Sequence, residues 1–149
     1  MADFFRLKFT IDGVPELSRI LLMETQKLTN FKKPLQKAAG LIQADVQTQF
    51  KTEGGLTGGW KPLSEGTVKG RLRSGFGAHP ILQRTGSLKN SFYSFVDEKR
   101  AIISSRSPYF VYHQSTKSRK ILPRRAMLVL VERTKQNIVE EFHKFLRFS

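Results

Sequence analysis

The stretch FKKPLQKAAGLIQADVQTQF, residues 31–50, decides the fold. Leu35, Ala38, Ala39, Ile42, Val46 and Phe50 recur at three- and four-residue steps, which places them on one face of an α-helix. The helix should start between Phe31 and Pro34. About 20 residues at 1.5 Å rise give roughly 30 Å, long for a small domain. A helix of that length forms the backbone around which the remaining 149-residue chain is arranged.

Upstream, Phe5, Leu7, Phe9 and Ile11 alternate with Arg6, Lys8 and Thr10, the pattern of an amphipathic strand. Gly13 breaks it and Pro15 suits the first turn of a helix, on which Leu17, Ile20, Leu21, Glu24 and Leu28 follow helical spacing. Downstream, residues 53–59 (EGGLTGG) read as a flexible loop, and no Gly-Lys-Ser/Thr closes it into a phosphate cradle. Ser64 is placed to cap a short helix through Leu72. The glycine-rich stretch 73–80, which carries Phe76, lacks periodicity and is expected to be mobile until a neighbour orders it. Thr85 or Ser87 can cap a short turn carrying Leu88. Residues 92–96 and 101–104 flank Asp97-Glu98-Lys99-Arg100, a β-hairpin signal. Pro108 can open a brief helix through His113. Residues 127–131 read as a strand or as the lead-in to a last helix, which would bury Val131, Ile138, Val139, Phe142, Phe145 and Leu146, with Glu140 and Lys144 as an i,i+4 pair. The reading is α+β: long N-terminal helices and a C-terminal helix on a small, mostly antiparallel sheet, with flexible glycine-rich loops, in one domain spanning residues 1–149.

Composition narrows the function. Formal net charge is +14. From Gly66 to Val131 there are 13 Lys or Arg against only Asp97 and Glu98, whereas the first fifty residues carry seven basic and five acidic side chains. Such a field attracts polyanions or acidic protein surfaces, and charge alone does not choose between them. The absence of cysteine excludes disulfides and thiolate metal sites and fits a reducing cytoplasm. No stretch approaches the roughly 18 apolar residues that span a bilayer, and the N-terminus lacks the pattern of a secretory signal. His79, His113 and His143 have no metal-type spacing. A Ser/His/Asp arrangement is spatial and stays open at this point, but the presence of only four aspartates and the lack of a Gly-x-Ser-x-Gly elbow weigh against catalysis. No catalytic, cofactor or metal site is expected.

Four local signatures remain. Trp60, Pro62 and Leu63 follow a double glycine; the indole either covers the open end of the core or anchors a subunit contact. The second runs Ile81-Leu82-Gln83-Arg84-Thr85-Gly86-Ser87-Leu88. The third, around Tyr109, Tyr112, His113 and Gln114, sets a partly buried, hydrogen-bonded imidazole in a turn. Lys117, Arg119 and Lys120 lead into the fourth, Leu122-Pro123-Arg124-Arg125. A guanidinium held next to a rigid proline can grip a carboxylate or a pair of carbonyls, so Arg124 or Arg125 is expected to be an inter-subunit or intrachain anchor.

These signatures, in this order and followed by an amphipathic helix, resemble the phage virion morphogenesis family, also called tail-completion proteins. The resemblance runs from about Phe50 to the C-terminus. It rests on Trp60, Pro62 and Leu63; on Leu82, Thr85, Gly86 and Leu88; on Tyr109, Tyr112, His113 and Gln114; and on Pro123 and Arg124. The chain departs from the pattern at Ala126, where the family often has proline or a larger apolar residue. The resemblance implies a structural protein at the head-proximal end of a phage tail, or at the head–tail junction. It implies rings, commonly sixfold, between tail tube and connector or neck proteins, in the virion after assembly in the host cytoplasm. DNA passing through the channel would be a nonspecific contact. The competing reading is a basic DNA-binding or DNA-packaging accessory protein.

Overall fold

The computed structural model describes residues 22, 23, 25, 26, 28–117 and 119–147. The amphipathic strand expected at residues 5–11, and most of the helix expected after Pro15, lie outside them. Described residues between 22 and 29 are helical, and Leu28 on them is exposed.

Helix α1, Lys32–Lys51, is the expected long helix. Asn30 Oδ1 accepts the Lys32 N–H at 3.0 Å, satisfying one of the free donors of its first turn. The apolar stripe faces inward, with Ala38, Ala39, Val46 and Phe50 buried and Leu35 and Ile42 half-buried. Two polar residues share that face, Asp45 and Gln49, each with an internal partner. Helix α2, Glu65–Arg73, starts where expected, with the Ser64 side chain accepting the Thr67 N–H.

Strands β1, Phe92–Val96, and β2, Ala101–Ser105, form an antiparallel hairpin in which Phe92 faces Ser105 and Val96 faces Ala101. Asp97 Oδ1 accepts the N–H groups of Lys99 and Arg100 and so closes the turn. Helix α3, Phe110–Gln114, is short. Helix α4, Glu132–Leu146, runs antiparallel along α1. Thr134 donates to Asp45 at one end, Lys37 pairs with Glu141 further along, and the Phe31 ring meets those of Phe142 and Phe145 at 6.0 Å. The arrangement is α+β, with helices packed on a small two-stranded antiparallel sheet.

The core joins Val46, Phe50, Trp60, Ile81, Leu88 and Met127. A file of edge-to-face rings threads it: Trp60 on Phe50 at 5.4 Å, Phe50 on Phe92 at 6.0 Å, and Phe92 on Phe110 at 5.4 Å. This file couples the end of α1 to the hairpin and to α3.

Several expectations need correction. Of the two readings of residues 127–131, the lead-in to α4 holds and the strand does not; the Gln114 side chain supplies backbone partners to Met127 and Leu128. On α4 only Thr134 is fully buried, while Val139 and Leu146 are exposed, because α1 covers a narrow stripe of the helix. Lys144 pairs with Glu141 rather than with Glu140. Hydrogen bonds from Lys37 and Lys144 hold the Glu141 carboxyl below its usual range. Neither glycine-rich stretch is a free loop. Residues 55–57 make a 3-10 turn, with the Gly59 and Thr57 N–H groups donating to the Gly54 carbonyl. In the second stretch the Glu53 carboxylate accepts the Ile81 N–H and meets His79 Nδ1, both at 2.6 Å, and Arg71 donates to the Pro80 carbonyl at 3.1 Å.

Candidate partner-binding surface

Three of the four signatures bond to or within one segment, residues 124–128, and the second reaches it through Ile81 and Leu88, which share the core with Met127. The segment's stability starts at Gly54, whose φ of +91° suits glycine alone. A Cβ there would lie 2.3 Å from Trp60 Cδ1, so the missing side chain is what lets the indole fold down over the loop. Trp60 is then buried in the core, and its Nε1 donates to the Ala126 carbonyl at 2.9 Å. Gln49 Nε2 donates to the same carbonyl at 3.0 Å. The Ala126 departure from the family pattern leaves this contact intact, because the carbonyl and not the side chain makes it.

Gln114 clamps the next two residues. Its Oε1 accepts the N–H groups of Met127 at 3.0 Å and Leu128 at 3.1 Å, and its Nε2 donates to the Leu128 carbonyl at 2.7 Å. One side chain thus replaces the strand partner that this segment lacks. Arg125 locks the other end. Its backbone N–H donates to the His113 carbonyl at 3.0 Å, and its guanidinium donates to the carbonyls of Lys61 at 2.9 Å and Pro62 at 3.0 Å. Arg125 is the intrachain anchor expected of this pair. Burial pushes its guanidinium below its usual pKa, and two carbonyl dipoles do the work of a counter-ion.

His113 differs from expectation. It is half-buried, but its Nδ1 is enclosed with no hydrogen-bond partner among the described residues. Burial first, then the charges of Arg125 and Arg119, push its pKa below the ordinary 6.5. The ring is therefore neutral at pH 7.

The candidate residues divide into two groups. Trp60, Gln114 and Arg125 serve the interior, and Leu63 packs half-buried against the core. Pro62 stays exposed next to them. Tyr109, Tyr112, Lys117, Arg119, Lys120 and Arg124 point outward. Arg119 lies over the Tyr112 ring at 4.7 Å, and Arg124 Nε donates to the Gln114 carbonyl at 3.2 Å. Exposed Val111 and Ile121 belong to the same surface; Ile121 is 96 % exposed. None of its cations has a carboxylate partner among the described residues. Phe76 stands apart, on the loop after α2, beneath the guanidinium of Arg84 at 5.5 Å.

Sequence reading missed the internal roles of Gln49, Glu53 and Gln114. Gln49 left a trace: an amide at a position that belongs to the buried stripe of α1. Among the described residues no cluster of His, Asp and Glu could hold a metal ion, and no helix is long and apolar enough to cross a membrane.

Residues 14–147 match the model of the phage virion morphogenesis family. No curated protein and no solved structure matches the chain. The family is one of structural proteins of virion morphogenesis and is not a known enzyme family. A match over nearly the whole length means that the chain belongs to the phage virion morphogenesis family and has a structural or assembly role in the phage virion.

Proposed function

We propose that this chain completes the head-proximal end of the tail and takes part in head–tail joining, as a ring of identical subunits stacked between tail tube and connector. The observation that carries the reading is the outward aromatic–basic surface of Tyr109, Tyr112 and Arg119, carried by α3 and the loop after it, which Gln114 and Arg125 tie to the held segment 124–128. A rigid mount lowers the ordering cost of association. Exposed tyrosines with arginine are the side chains that dominate protein–protein contacts. The unneutralised cations around it, Lys117, Lys120 and Arg124 among them, favour an acidic tail-tube or connector surface and speed encounter with it.

The test is joining of purified heads and tails with an Arg119→Glu, Lys120→Glu variant at moderate salt. Loss of joining with an unchanged circular dichroism spectrum is the expected result; joining at the parent level would sink the reading. The net charge of +14 sustains the DNA-binding alternative. That alternative requires tight, salt-sensitive binding of the isolated chain to duplex DNA, with a slope reflecting several phosphate contacts. The joining reading requires weak, nonspecific binding in the same gel-shift series.

A further inference from the structure

Half of the eight carboxylates in the described part of the chain are used internally: Asp45 by Thr134, Glu53 by Ile81 and His79, Asp97 by Arg100, and Glu141 by Lys37 and Lys144. Four are left facing outward. Glu65 lies in the first turn of α2, where the helix N-terminus already favours a negative charge. Glu98 sits on the hairpin turn beside two cations, Lys99 and Arg100. Glu132 and Glu140 share the outer side of α4. Thr134, Ile138 and Phe142 mark the side turned to α1, and a residue two positions further on is rotated by roughly 200°. Gln136, Glu140 and Lys144 therefore stand away from α1, with Val139 and His143 beside them.

On that outer side Glu132, Lys135, Val139, Glu140 and His143 border a shallow groove of about 360 Å³. Lys135 is 3.8 Å from Glu132 and offsets it, while Glu140 has no ion-pair partner among the described residues. Val139, 46 % exposed, supplies an apolar floor. The aromatic–basic surface carries the complementary features: the exposed rings of Tyr109 and Tyr112, the apolar side chain of Ile121, and the Arg119 guanidinium with no carboxylate partner among the described residues. The two surfaces lie on different elements and share no residue. One copy can therefore donate the first while accepting on the second.

We infer that the occupant of the α4 groove is a second copy of this chain, seated through its Tyr109–Tyr112–Arg119 surface with Arg119 directed at Glu140. The contact is heterologous, so each subunit uses both surfaces and repetition closes into a ring when the rotation per subunit permits. The inference rests on the ring reading above and assigns its subunit interface. It also identifies the remaining cations, Lys117, Lys120 and Arg124, as those left for partners above and below.

Sedimentation velocity of the full chain, alone and with purified tails, tests it. Arg119→Glu and Glu140→Arg should each weaken self-association about tenfold or more, because like charges then face each other. The double variant Arg119→Glu, Glu140→Arg restores the pair with reversed polarity and should recover assembly to within a few-fold of the parent. Single variants that assemble like the parent would overturn this interface and leave the ring reading standing. A double variant no better than either single one would overturn it as well. A parent chain that stays monomeric even on tails would overturn both.

Discussion

Replacing Gln114 tests the framework most sharply, because one side chain holds three backbone groups. In Gln114→Met the length and volume are nearly kept, while the bonds to the Met127 N–H, the Leu128 N–H and the Leu128 carbonyl are all lost. Each bond contributes about 0.5–1.5 kcal/mol, and a partly buried group left unpaired costs toward the upper end. The expected loss is about 2–4 kcal/mol. Gln114→Ala adds a cavity and should cost about 1 kcal/mol more. The chain supplies its own reporter: Trp60 is the single tryptophan, it is buried, and its indole N–H is bonded to the residue just before the clamped pair. Urea unfolding followed by Trp60 fluorescence, at fixed protein concentration, reads the change directly. With a slope of about 2 kcal/mol/M, the Gln114→Met midpoint should fall by about 1–2 M. A midpoint within about 0.25 M of the parent, at unchanged slope, would refute the claim that Gln114 replaces a strand partner.

Gly54→Ala should cost about 2–4 kcal/mol in the same assay, since positive φ and the collision with Trp60 act together; Gly58→Ala, at φ +85° with open space around it, should cost only about 1 kcal/mol. Arg125→Lys keeps the charge but cannot fork onto two carbonyls, and should lose about 1–2 kcal/mol. For His113 the folded pKa lies below the unfolded 6.5, so the unfolded chain takes up the proton first. Its contribution to stability is whole above about pH 6.5 and is lost as pH falls through the folded pKa; His113→Gln should flatten that part of the profile, measured as unfolding free energy between pH 8 and pH 5.

The elements that periodicity writes plainly were legible: α1 from its apolar stripe, α2 from Ser64, and the hairpin from two short apolar runs around a polar tetrapeptide. Residues 127–131 stayed open between strand and lead-in because their apolar run suits either, while the partner that completes them is the Gln114 side chain, which no local pattern reveals. The same holds for the glycine-rich loops. Glu53 ties residues 79 and 81 to the end of α1 across more than twenty residues, a link invisible to composition. The last helix itself was readable, but burial of Val139 and Leu146 was overestimated because amphipathic spacing marks an apolar side without saying how much of it a neighbour covers. Among the candidate residues, the motif pattern selected both framework and surface. Arg125, Trp60 and Gln114 turned inward, whereas Tyr109, Tyr112 and Arg119 turned outward; side-chain type alone does not separate them.

On the proposed reading this protein builds the junction between head and tail. Electron microscopy of particles made with and without the chain tests it most directly. The account predicts that, without it, filled heads and full-length tails accumulate apart, and that adding the purified chain joins them. Complete, infectious particles assembled in its absence would contradict the account.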